Sequence, residues 1–254
     1  MAPLADITSA STATSAASVL TLAALGLGLL ALLGWLSDWL IRTPRGDMDS
    51  GAVFRAFQIY SRIVHRLRVN GREHIPAAPG PRGLIVVANH TAGVDPVLVQ
   101  ASLPFEVRWM MARDMQFAGL DWLWELGRVI AVDRTGRDSR SAREAMRHLE
   151  SSGVIGIFPE GRIERPAKLL RPFMPGIGLI VKRTGAPVLP IIIEGTPQTG
   201  PAWGSLFRSS RASLRVLPIV DYADSGMCAE EIARDLEARY ASWTGWRVHS
   251  PSDA

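Results

Sequence analysis

The chain has 254 residues, 47% of them hydrophobic, a formal net charge of +4 and a single cysteine, Cys228. That length suits one sizeable core with appendages, and one thiol excludes an intrachain disulfide or a cysteine-rich zinc site. The arginine excess suits an anionic partner, whether a phosphorylated substrate, a membrane surface or nucleic acid.

Residues 1–15 are rich in Ala, Ser and Thr and are expected to be disordered. Residues 17–36, ASVLTLAALGLGLLALLGWL, carry no charge. That is about the 20 residues a helix needs to cross a bilayer. Trp35 and Trp39 lie at its end, where interfacial aromatics belong. A signal peptide would need a basic leader and a shorter core, whereas this leader has no Lys or Arg and carries Asp6. The run is apolar on all faces, which favours a span over a helix buried in a soluble protein. Residues 16–41 are therefore predicted to be a transmembrane helix. Arg42, Arg45, Arg55, Arg62, Arg66 and Arg68 all follow it, so the positive-inside rule predicts a single-pass membrane protein with its body in the cytoplasm.

Over residues 53–67, Val53, Phe57, Tyr60, Val64 and Leu67 recur at helical spacing, and Arg55, Arg62 and Arg66 fall on another face. Such a helix either packs on its own domain or lies on anionic lipid. With the Pro-rich turns that follow, it makes residues 42–78 a membrane-proximal helix and linker. Strand and helix then alternate. Strands are predicted at residues 84–88, 107–111, 129–132, 154–158, 188–193 and 213–218, and helices at 96–102, 119–126, 140–151 and 176–184. The expected fold is an α/β domain over residues 79–222, with a largely parallel central sheet flanked by helices. Residues 223–254 form a C-terminal helix and tail, with Ile232, Leu236 and Tyr240 at four-residue steps.

Four segments at predicted strand ends can carry chemistry. In LIVVANHTAGVDPVLV, residues 84–99, an apolar strand runs into Asn89 and His90, and Asp95 precedes Pro96. Asp95 is expected at the N-cap of the next helix, with Pro96 at its first position. A turn can also bring the carboxylate to one imidazole nitrogen and leave the other outward, which is the base-and-orienter pair that activates a hydroxyl. From this stretch alone, a plain helix start beside a solvated histidine reads equally well. In GRVIAVDR, residues 127–134, Arg134 at the sheet edge can hold a phosphate by bidentate contacts or pair with Asp133 or Asp138. In GIFPEGR, residues 156–162, Glu160 and Arg162 put an acid and a base at the same edge, and Gly161 permits close backbone approach. The alternative is a turn with a solvated salt bridge. In GAPVLPIII, residues 185–193, two prolines bracket a buried strand, so Pro190 is expected at a bulge or ladder interruption. Trp109, Met110, Met111, Met115, Phe117, Trp122 and Trp124 are either core or the lining for an apolar chain. The chain has no GxSxG elbow, no GxxxxGK loop and no obvious third metal ligand beside His90 and Asp95.

In this order the four segments resemble the blocks of the glycerolipid acyltransferase family, which includes glycerol-3-phosphate and 1-acyl-glycerol-3-phosphate acyltransferases. The resemblance covers residues 84–195, and PFMPGIG, residues 172–178, looks like the segment preceding the fourth block. Two positions depart from the family pattern. Ala92 stands where Ser is common, and Arg162–Ile163 follow FPEG where Thr-Arg is usual. The resemblance implies a membrane-bound O-acyltransferase with His90 as general base and Asp95 as its partner. It implies that Arg134, Glu160, Gly161 and Arg162 bind the acceptor. It further implies acyl-CoA or acyl-acyl carrier protein as donor, no bound cofactor or metal, and no nucleic-acid partner. The expected acceptor is a lysophospholipid, first 1-acyl-sn-glycerol-3-phosphate, giving phosphatidate. Glycerol-3-phosphate, a lyso-aminolipid, or a non-catalytic lipid-binding role are the alternatives.

Overall fold

The computed structural model describes residues 6–116, 119, 121–133, 139–163 and 166–249, with backbone only for residues 6–17. The chain forms two units, Met1–Ala52 and Val53–Ala254. In the first, α1 (Asp6–Ile41) begins well before the expected span. Residues 6–15, expected to be disordered, are helical. They are mostly Ser and Thr, but no Gly or Pro lies between Asp6 and Gly26 to interrupt the helix that runs on into the apolar segment. Ser18–Ile41 is long and apolar enough to cross a membrane, and its leucines from Leu20 to Leu36 are exposed. Trp35 and Trp39 stack near its end with ring centroids 6.4 Å apart. Asp47 accepts the Ser50 N–H at 2.8 Å, capping α2 (Met48–Ile63).

In the second unit the rest of α2 is followed by β1 (Arg68–Asn70), β2 (Leu84–Ala88), α3 (Asp95–Ser102), β3 (Arg108–Ala112), α4 (Asp121–Leu126), β4 (Ile130–Val132), α5 (Ser139–Glu150) and β5 (Val154–Ile157). Then come β6 (Leu169–Leu170), α6 (Pro175–Thr184), β7 (Val188–Glu194), a 3-10 segment at Ala202–Phe207, β8 (Ser213–Val216), α7 (Ala229–Thr244) and β9 (Arg247–Val248). Seven strands make one sheet in the order β1-β8-β7-β2-β5-β3-β4, and β6 pairs with β9 apart from it. From β7 to β4 every pairing is parallel. β8 runs antiparallel to β7 and parallel to β1. The largely parallel sheet flanked by helices is the predicted fold. β1, β6 and β9 escape prediction because two or three residues are too few to show a period.

Alternation along the central strands builds a core on each face. Ile85, Val87, Ile155 and Ile157 face one way, against Leu149 of α5, Ile177 and Val181 of α6 and Leu236 of α7. Leu84, Val86, Ala88 and Val154 face the other way, with Val99 of α3, Leu103 and Trp109. Pro190 interrupts the ladder as its missing N–H requires. Ile191 pairs with Val216, but the next bridge joins Val188 to Val220, so one extra residue on the β8 side forms a bulge. Tyr240 of α7 is fully buried and reaches between β7 and β2. Its hydroxyl donates to the Val87 carbonyl at 2.8 Å and accepts the Ile191 N–H at 3.2 Å.

α2 ends at Ile63 rather than continuing to Leu67, and a buried polar network holds the turn beyond it. The Tyr60 hydroxyl donates to the Leu206 carbonyl at 2.7 Å, so it must accept from His65 Nε2, 2.8 Å away. His65 Nδ1 is then the acceptor for Ser210 Oγ, also at 2.8 Å. Arg66 completes the turn at φ 44°.

Candidate active site

His90 stands two residues past the last residue of β2, at the C-terminal edge of the parallel strands, where α/β sheets bind ligands. Asn89 fixes the exit from the strand. Its side-chain amide donates to the Ile193 carbonyl at 3.0 Å, and its side-chain oxygen accepts the Ile193 N–H at 2.8 Å, extending the ladder with β7. The loop that follows is tied down on every side. Thr91 Oγ1 bonds Thr196 Oγ1 at 2.6 Å, Gln198 donates to the Thr91 carbonyl, and Ser205 Oγ accepts the Val94 N–H. A Cβ on Gly93 would lie 2.5 Å from the Ala202 carbonyl oxygen, so only glycine fits there.

Asp95 is wholly buried. One of its oxygens, Oδ2, accepts the N–H groups of Thr91 at 2.7 Å and Ala92 at 2.8 Å, and His90 Nδ1 at 3.0 Å. This corrects the expected N-cap. The N-cap of α3 is Val94, and no side chain caps the helix. The carboxylate is turned back and occupied by the preceding loop. The His90 side chain keeps 15% exposure. With Nδ1–H donated to a carboxylate, Nε2 is left as the acceptor.

Glu160 is almost fully buried. Its Oε1 accepts the His90 N–H at 2.8 Å and its Oε2 the Arg171 N–H at 3.0 Å. The carboxylate thus ties the third motif to the first through the backbone N–H groups of His90 and Arg171. Gly161 lies at φ +71°, which favours glycine, and a Cβ there would lie 2.5 Å from the Sδ of the flexible Met174 side chain. Arg162 is exposed at the same edge and carries no ion pair among the described residues. Arg134 lies outside the described residues, as does Asp138. Among the described residues no group of three or more His, Cys, Asp or Glu side chains could hold a metal ion.

The sequence reading missed the rings around His90. The imidazole stacks on Phe158 with centroids 4.1 Å apart and planes 17° apart. Phe158 in turn stacks on Trp109 at 4.9 Å and 14°. The position of Phe158 inside the third motif was the only available signal. Trp109, counted with the core, is 7% exposed. Trp124 and Trp203 meet at 5.5 Å, and Trp203 Nε1 donates to the Met115 carbonyl.

A parallel α/β sheet carrying a carboxylate-held histidine at its central edge defines the class of protein. The family model described as Acyltransferase matches residues 66–194, half of the chain. The chain belongs to that family. It is 26% identical over 181 residues to the 1-acyl-sn-glycerol-3-phosphate acyltransferase alpha proteins of Ovis aries and Bos taurus, covering 68% of this chain. It spans 61% of the length of those relatives. The 1-acyl-sn-glycerol-3-phosphate acyltransferase of Limnanthes douglasii is 25% identical over 134 residues, 51% of this chain and 46% of its own. The fold is also that of the 1-acyl-sn-glycerophosphate acyltransferase structure from Thermotoga maritima, with a TM-score of 0.60 and 22% identity over 77% of this chain and 80% of the other.

Proposed function

We propose that this protein is a membrane-bound O-acyltransferase that moves an acyl group from a thioester of coenzyme A or acyl carrier protein to the hydroxyl of a lysophospholipid. The first acceptor is 1-acyl-sn-glycerol-3-phosphate and the product phosphatidate. The observation that carries this reading is the 3.0 Å contact between His90 Nδ1 and the buried Asp95 carboxylate, in a chain of the Acyltransferase family. His90 Nε2 takes the proton of the acceptor hydroxyl as its oxygen attacks the thioester carbonyl. The tetrahedral oxyanion collapses, the carbon–sulfur bond breaks, and the imidazolium returns the proton to the departing thiolate. Asp95 holds the tautomer and stabilises the imidazolium. Arg134 and Arg162 are the proposed holders of the acceptor phosphate, Arg162 by its exposed position at the edge. Glu160 and Gly161 serve the acceptor indirectly, by setting the backbone around His90.

The test is a panel of lysophospholipids, with glycerol-3-phosphate and lyso-aminolipids included, assayed for thiol release from an acyl thioester and for product mass. Sustained release that depends on 1-acyl-sn-glycerol-3-phosphate and yields phosphatidate supports the reading. Stoichiometric lipid binding without turnover would instead make the protein a lipid-binding module. Turnover with another acceptor alone would keep the reaction and change the substrate.

A further inference from the structure

Three aromatic rings cross three neighbouring strands on one face of the sheet. His90 follows β2, Phe158 follows β5 and Trp109 lies in β3, and these strands are adjacent in the order β2-β5-β3. Trp109 is in register with Gly156. Val154, Gly156 and Phe158 alternate onto the same face, and glycine at the middle position leaves a flat bed for the indole. A Cβ on Gly156 would lie 2.5–2.7 Å from three ring carbons of Trp109. The indole Nε1 is buried with no hydrogen-bond partner among the described residues. An orphaned buried donor is a cost, so Trp109 is held there for its ring and not for its polar edge.

We propose that Phe158, backed by Trp109 lying on Gly156, is a positioning residue for His90. The inference rests on the reading of His90 as the base. The contact with Asp95 fixes the imidazole at one nitrogen only and leaves the ring free to swing about that contact. A parallel ring at 4.1 Å removes this freedom and aims Nε2 along one line. It also closes one face of the imidazole to water. In the transition state the ring becomes cationic, and a cation within about 6 Å of an aromatic face is stabilised by the ring's quadrupole. The stack therefore acts more on the reacting state than on bound substrate, so it should set kcat and leave KM alone.

The experiment measures kcat and both KM values on the full chain in proteoliposomes, beside thermal melting. Phe158→Leu should lower kcat about 10- to 100-fold, the scale of a misplaced catalytic group, with both KM values nearly unchanged. Phe158→Tyr keeps the stacked ring and should restore most of the rate. Gly156→Ala, which adds one methyl under the indole, should reproduce the kcat loss with Phe158 intact. Wild-type kcat in folded Phe158→Leu or Gly156→Ala would overturn the proposal, as would a fall in melting temperature with kcat unchanged. His90→Ala runs beside them. If it turns over normally, the proposed function itself fails. If it is inactive while Phe158→Leu is normal, only the stack is refuted.

Discussion

Asp95→Asn and Asp95→Ala separate two tasks of one carboxylate. An asparagine oxygen in the Oδ2 place can still accept the Thr91 and Ala92 N–H groups, but it cannot stabilise an imidazolium by charge. Asp95→Asn is expected to fold normally and to lose about 10²–10⁴ in kcat. Asp95→Ala orphans both buried N–H groups, at about 1–3 kcal/mol each, and should also melt at a clearly lower temperature. His90→Ala keeps its backbone tie to Glu160, so it should melt like the wild type with kcat collapsed, and adding Asp95→Asn should make it hardly worse. Normal turnover in Asp95→Asn would leave Asp95 as a loop clamp only. The His90–Asp95 pairing was legible from spacing and motif. The place of Glu160 was not, because it accepts the backbone N–H groups of His90 and Arg171, and every residue type but proline supplies such a group. Nor was the ring stack, which exists only once three strands are set in register.

The turn between α2 and β1 predicts a pH response. His65 is fully buried. Burial holds its pKa below the usual 6.5, with the negative charge of Asp95 pulling weakly the other way. The folded state therefore favours the neutral ring, whose Nδ1 is already taken up as acceptor for Ser210. A pKa lowered by folding gives stability that is present above about pH 6.5 and lost as pH falls through the folded value. Between pH 7 and 5 the wild type should lose melting temperature more steeply than His65→Gln. His148, in the last turn of α5, is shifted the same way by burial and by the charge of Arg108, so some slope should survive the substitution. Equal slopes in the two proteins would clear His65. At this scale the sequence served well where elements were long. Apart from the two-residue β6, the order of strands and helices from β2 to α7 follows from alternating periods and turn residues. It failed at α2, whose apolar spacing runs on to Leu67 while the Tyr60–His65–Ser210 network bends the chain at Val64.

For the whole molecule, the charge asymmetry around Ser18–Ile41 proposes that the body lies on the cytoplasmic side. Protease added to sealed, right-side-out cells should leave the body intact, and its digestion would reverse the orientation. Sheet topology adds a constraint of timing. β1, the first strand after α2, finds its parallel partner only in β8, where Arg68 sits opposite Ser213. Ribosomes add about 5–20 residues per second, so β8 is made roughly 7–30 s after β1. On the proposed topology the apolar helix meets the bilayer in that interval, while β1 still waits for a neighbour. Assembly must start among the strands that follow and come back to β1 at the end. The strand made first is stitched into the sheet last.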